Sequence, residues 1–364
     1  MPFAIIQQRL HNQGLEGPGF GSVAEAVAWL GAVQAQDYAA AKWALGLRVR
    51  NATDAAVEQA FAKGEILRTH VLRPTWHFVM PADIRWLLAL TGPRIKATLN
   101  SYCRKHGLDE TTLRRSNDII GHALVGGRHL TRPELATLLR RRRIAVNGME
   151  ASFIMMRAEQ DAVVCSGPIR EKQFTYALLE ERVPKALPFD RDEALAELAA
   201  RYFTSHGPAT LRDFAWWSGL RMNEAKIGLD LARARLEHHV VDGTSLWFAP
   251  STRVRTNHRN AVHLLPNYDE YFIAYKDREL VLDGAGAMGI MFTHQIAIGG
   301  QVRGSWKRLS RASGCVIEAR PLVPLSTAHE RALDAAADRH SRFLGVPVSL
   351  TVASPSAVKT TRRI

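Results

Sequence analysis

The chain has 364 residues, of which 46% are hydrophobic and 23% charged, proportions that exclude disorder along most of its length. Lys and Arg number 48 against 35 Asp and Glu, a net charge of +13, which favours a polyanionic partner. The isolated Cys103, Cys165 and Cys315 exclude a disulfide framework and a multi-cysteine metal site, and point to a reducing cytoplasm.

The opening MPFAIIQQRLHNQG turns polar after its sixth residue, so no signal peptide is expected, and no apolar run long enough to span a membrane follows. Three segments then begin with a hydroxyl residue and an acid three positions on: Ser22 with Glu25, Thr131 with Glu134, and Thr210 with Asp213. The hydroxyl caps the first free amides and the acid favours the positive helix end, which predicts short helices over 22–31, 131–143 and 210–220. A second helix is expected after each, near 53–63, 150–160 and 222–238. Paired extended runs follow: 65–72 with 76–80, 161–165 with 173–178, and 238–242 with 245–249. Ser166-Gly167-Pro168 and Asp242-Gly243 supply turns for the last two pairs. Helix, helix and hairpin is the order of a winged helix, here repeated three times.

From Val254 onward the runs VHLLPNY, EYFIAYK, ELVLDG, GIMFTHQIAI, QVRGSW and GCVIEARPLV read as strands, with Gly299-Gly300 as a hairpin turn, and predict a small barrel or sandwich. A last helix is expected over 327–344, ahead of a basic, polar tail. The Gly284-Ala-Gly-Ala-Met-Gly289 run is read as a turn, because β-type sequence follows it where a nucleotide fold needs a long helix. The fourteen histidines include no zinc-ligand spacing, and no hydrolase elbow is present, so neither metal nor cofactor is expected. Arg140, Arg141, Arg142 and Arg143 form a basic run in the second repeat, and Lys307 and Arg308 another in the β-rich part; set beside winged helices, both are candidate phosphate contacts. Phe214, Trp216 and Trp217 are assigned to core packing rather than to base stacking.

Gln34 and Gln36 flank Ala35 where the first capped helix ends. On a helix they would point about 200° apart, so they converge only on extended or turning backbone. Neutral amides are no general bases near pH 7, but paired donors and acceptors can orient a water for a leaving group that is already activated.

Four segments, QAQ at 34–36, LRTHVLRPTWHFV at 67–79, SGPIREKQFTYALLEER at 166–182 and LLPNYDEYFIAYKDR at 264–278, resemble the AlkZ-like (AlkZ/YcaQ) bacterial DNA glycosylases over nearly the whole chain. The resemblance implies an α+β chain of three tandem winged helices followed by a C-terminal β-barrel-like domain, with divisions at 1–90, 91–185, 186–252 and 253–364. It implies a monofunctional glycosylase that excises alkylated purines of the N7-alkylguanine type from duplex DNA, interstrand crosslinks included, with a glutamine-positioned water. One branch of the family carries paired glutamines as its catalytic motif, matched here by Gln34 and Gln36. Another has Asp at the second position; here the acid comes one place later, at Asp37, which leaves it a supporting role at most. Arg68, Arg73 and His77 fall in the matching first-repeat segment. Arg68 is assigned to DNA and Arg73 and His77 to support of the site, with plain structural roles open for all three. A monomer acting on nucleoid DNA is the expected state. The alternative class is a non-catalytic winged-helix DNA-binding protein or transcription regulator, which would leave the glutamine pair idle.

Overall fold

The computed structural model describes residues 2–183, 185, 189–250, 258–282, 293–311 and 314–354. After α1 (Pro2–Asn12) comes a first unit of α2 (Val23–Leu30), β1 (Val33–Gln34), α3 (Tyr38–Gly46), α4 (Asp54–Lys63), β2 (Leu67–Val71) and β3 (Thr75–Val79). The long α5 (Pro81–Lys105) leads to a second unit: α6 (Glu110–Leu124), β4 (Leu130–Thr131), α7 (Arg132–Arg141), α8 (Gly148–Gln160), β5 (Val164–Ser166) and β6 (Thr175–Leu178), closed by α9 (Leu179–Arg182). A third unit has α10 (Arg191–His206), α11 (Leu211–Ser218), α12 (Met222–Ala232), β7 (Glu237–Val241) and β8 (Thr244–Phe248). In each unit a short extended segment before the second helix pairs antiparallel with the last strand: β1 with β3, β4 with β6, and Ala209 with Trp247. The hairpin β7–β8 turns on Asp242 and Gly243, both at positive φ (48° and 76°), as a two-residue turn of the primed kind requires.

Capping chemistry explains the helix starts. Thr131 with Glu134 and Thr210 with Asp213 form reciprocal capping boxes, and Ser22 accepts the Glu25 amide. The three predicted starts are nevertheless not equivalent. Thr131 and Thr210 cap the second helix of their units, whereas Ser22 caps the first of its own. The true counterpart is α3, capped by Asp37, whose side chain accepts from Ala40 N. The sequence hid α3 because it is buried from Ala40 to Gly46 without a break, so it lacks the polar face that reveals an amphipathic helix.

The remainder contains β9 (Val262–Leu265), α13 (Glu270–Ile273), β10 (His294–Ile298), β11 (Gln301–Arg311), β12 (Gly314–Pro321), α14 (Thr327–Leu344) and β13 (Val348–Val352). Among the described residues the five strands form an open sheet in the order β13-β12-β11-β10-β9, and no barrel closes. The expected strand EYFIAYK is instead a helical turn, because Asp269 accepts from Tyr271 N and caps it. In ELVLDG, residues 279–282 make a turn with a single bridge from Leu282 to Val302. The glycine-rich 284–289 lies outside the described residues.

The C-terminal sheet shares a core with the first unit, where Ile6, Leu30, Trp43 and Phe78 pack with Leu264, Tyr271, Trp306 and Phe343. A second core joins the first hairpin to α5, the third unit and Tyr275. These shared cores bring residues near 270 against β1.

Candidate active site

Gln34 lies on β1 opposite His77. Just beyond the strand Ala35 N donates to Trp76 O at 2.7 Å, and at the bend that follows Gln36 Oε1 accepts from Trp76 N at 3.3 Å. Both glutamines thus border β3, Gln34 through its register with His77 and Gln36 through its carboxamide on Trp76 N. Gln34 is only 8% exposed, while Gln36 is open to solvent.

Behind the strand sits a buried carboxylate that the sequence had not singled out. Glu270 Oε1 accepts the Gln34 backbone N–H at 2.7 Å, Oε2 accepts Trp217 Nε1–H at 2.9 Å, and His206 Nε2 lies 3.6 Å from Oε2. Burial alone would raise this carboxyl, but His206 and the Gln34 N–H outweigh it and hold the group well below the usual carboxylate range. Burial pushes the His206 imidazole down. The neighbouring Asp269 is locked by a bidentate pair with Arg48, both bonds 2.8 Å, so the start of α13 is fixed in place. The only sequence signal for Glu270 was its position inside one of the four family-like segments.

Arg73, in the β2–β3 turn, ties the glutamine to the third unit. Its Nη2 donates to Gln34 Oε1 at 2.9 Å and its Nη1 to the Trp217 carbonyl at 2.9 Å and the Trp216 carbonyl at 3.2 Å. His77 is wholly buried; its Nδ1 bonds the Thr75 carbonyl at 2.9 Å, its Nε2 has no hydrogen-bond partner among the described residues, and burial with the nearby Arg73 charge pushes it down to about 4. Arg68 was expected at DNA but is 6% exposed. Its Nε donates to the Ala35 carbonyl at 3.0 Å, and its guanidinium packs over Trp76 at 4.1 Å and Phe174 at 4.5 Å. It therefore grips the backbone between the two glutamines. Asp37 is the α3 cap and lines a cavity of about 180 Å³ with His294, Lys307 and Arg308.

Arg140 and Arg141 end α7, and with Arg142 and Arg143 they are exposed on the turn leading to α8; among the described residues no hydrogen bond joins them to the glutamines. Lys307 pairs with Glu318 at 3.0 Å. Phe214 and Trp217 are buried as expected, but Trp216 is 36% exposed. Among the described residues no cluster of His, Cys, Asp or Glu could hold a metal ion, and no helix is long and apolar enough to cross a membrane.

Each glutamine carboxamide oxygen keeps a second lone pair beside its protein partner, and each NH₂ can donate. Together they can hold a water by both its oxygen and its hydrogens, over a strand backed by fixed negative charge.

A family model described as "DNA glycosylase AlkZ-like" matches residues 27–343. A curated relative from Streptomyces sahachiroi, named an interstrand DNA cross-link repair glycosylase, is 26% identical over 227 residues, which cover 59% of this chain and 60% of the relative. The solved structure of the Streptomyces sahachiroi DNA glycosylase AlkZ superposes with a TM-score of 0.77 at 20% identity, covering 96% of this chain and 99% of that one; this likeness speaks for the fold.

Proposed function

The chain belongs to the AlkZ-like DNA glycosylase family, and from that membership we propose that it hydrolyses the N-glycosidic bond of alkylated purines in duplex DNA, of the N7-alkylguanine type and including interstrand crosslinks. The three helix–helix–hairpin units, near 1–90, 91–185 and 186–252, act in this reading as winged helices that hold the duplex, with the β-rich part from 253 on supporting the first.

The observation that carries the reading is the pair Gln34 and Gln36, both set against β3, with Arg73 holding the Gln34 carboxamide, Arg68 the Ala35 carbonyl between them, and Glu270 the Gln34 backbone N–H. Alkylation at N7 leaves a positive charge on the base, which weakens the glycosidic bond and makes the base a good leaving group without protonation. The enzyme then has to place a water at the anomeric carbon and stabilise an oxocarbenium-like sugar. Two carboxamides suffice for the first task. The ionised Glu270 favours positive charge in front of the strand for the second, because a fixed charge acts strongly in a poorly solvated site. No step requires a metal or a covalent lysine, and a cationic base need not be swung fully into a pocket.

The test is release of N7-methylguanine from alkylated duplex DNA with EDTA present, by the wild type and by Gln34→Ala/Gln36→Ala. We expect release by the wild type, loss of release in the double variant, and duplex binding retained in both. Release that persists in the double variant refutes the site; a wild type that binds but releases neither methylguanine nor a crosslink refutes the activity.

A further inference from the structure

Three cations surround one exposed indole beside Gln34. Trp216 stands near the C-terminal end of α11, 36% exposed, its Nε1–H held by the Ile273 carbonyl at 3.0 Å. Lys276 Nζ lies 4.6 Å from its ring centroid, and the guanidinium carbons of Arg278 and Arg73 lie 5.5 Å and 5.8 Å away. These groups come from three separate parts of the chain: α11, the segment after α13, and the β2–β3 turn. Among the described residues none of the three cations forms an ion pair. Two of the nearby acids are committed elsewhere. Asp213 is buried and accepts the Lys276 and Asp277 backbone amides at 2.8 Å and 3.3 Å, and Asp277 turns back onto Glu279 N at 2.9 Å. Arg278 Nε is spent on the Phe272 carbonyl at 3.0 Å, and Arg73 on Gln34 and two carbonyls. Lys276 is exposed and its ammonium makes no hydrogen bond among the described residues.

Like charges gathered without a direct ion pair repel one another, with only the buried Glu270 and Asp213 offsetting this from behind, and the fold packs them on a ring whose π-face attracts cations. Such an arrangement suits an anion that arrives from outside. Arg73 reaches from this cluster directly to Gln34 Oε1, so the anion would lie next to the reactive strand. We propose that Lys276 and Arg278, gathered on Trp216, bind backbone phosphates of the duplex adjacent to the sugar served by Gln34 and Gln36. The placement of the lesion rests on the glycosylase reading above; the phosphate contact does not. Trp216 acts as a positioning residue, since it spreads the cations and need not touch the DNA.

Each phosphate neutralised by a side chain releases about one counterion, so the slope of log affinity against log salt falls by roughly 0.9 for each phosphate-binding cation removed. Binding of undamaged duplex is measured across a salt series for the wild type, Lys276→Gln, Lys276→Gln/Arg278→Gln, Trp216→Phe and Trp216→Ala, with N7-methylguanine release measured beside it. Lys276→Gln, which breaks no hydrogen bond within the protein, is expected to lower the slope by about one, and the double variant by about two with at least tenfold weaker binding at moderate salt. Trp216→Phe should keep most of the slope and Trp216→Ala lose it. A slope unchanged in both charge variants overturns the inference. A wild type that releases no base while the variants lower the slope would leave the phosphate site standing and remove the glycosylase reading, so the two failures are distinguishable.

Discussion

Replacing Glu270 by Gln separates a buried carboxylate that shapes the site from one that merely fills space. The carboxylate accepts two N–H groups, from Gln34 at 2.7 Å and from Trp217 at 2.9 Å. A carboxamide offers one acceptor oxygen, so its NH₂ must face one of those donors and leave a buried N–H unmet, which costs about 1–3 kcal/mol. The bond that remains loses its charge assistance, a further ~1 kcal/mol. Removing a buried charge offsets part of this, for a net loss of about 2 kcal/mol. If the unmet donor is Gln34 N–H, the strain falls on the strand that carries the glutamines. A loss of that size expressed in the reaction is roughly a thirtyfold slower single-turnover rate. Urea unfolding gives the stability term and single-turnover release of N7-methylguanine the kinetic one. The dependence on pH adds an independent reading. The folded carboxyl is held below its value in the unfolded chain, so its stabilising effect is present above about pH 4.3 and is lost as pH falls through the folded value; Glu270→Gln should lack that acid loss. A variant with stability and rate both within twofold of the wild type would falsify the role given to Glu270.

Arg68→Lys should slow base release about tenfold while leaving duplex affinity and its salt slope unchanged, because lysine lacks the planar fork that stacks between Trp76 and Phe174 while holding the Ala35 carbonyl; a slope lowered by about one would instead return Arg68 to the phosphates. His77 and His340 are buried and pushed down by burial to about 4 and about 3, so the unfolded chain binds their protons first as pH drops below about 6.5. Stability should therefore rise with pH between about 4 and 6.5, by up to ~1.4 kcal/mol per pH unit for each histidine. His77→Asn should flatten that limb in urea unfolding at stepped pH, and a limb identical to the wild type would count against the buried neutral state.

What the sequence displayed and what it concealed divide along the range of the interactions involved. The capping boxes of α7 and α11 were legible because both partners lie within four residues and the chemistry is local. The Asp242-Gly243 turn was legible for the same reason. α3 was not, since burial on every side erased its periodicity, and with it went the correct phase of the repeat. EYFIAYK is a continuous apolar run rich in β-formers, yet the cap at Asp269, held by Arg48 from 221 positions away, makes its start a helical turn. The same distance in sequence governs the candidate site. Gln34 and Gln36 could be chosen because the two amides are local neighbours in sequence, and the structure sets both against β3. Glu270, 236 positions from Gln34, carried no local sign of partnership; only the shared core of the first unit and the C-terminal sheet brings them together. A two-residue strand cannot fix its own side chains. The chemistry proposed for the glutamines therefore depends on groups drawn from all the parts of the chain that meet behind them: Arg73 and Arg68 from the first hairpin, Trp217 from the third unit and Glu270 from the β-rich part. On that view, substitutions at Glu270 or Trp217 should reach the glutamines as directly as substitutions in the first unit itself.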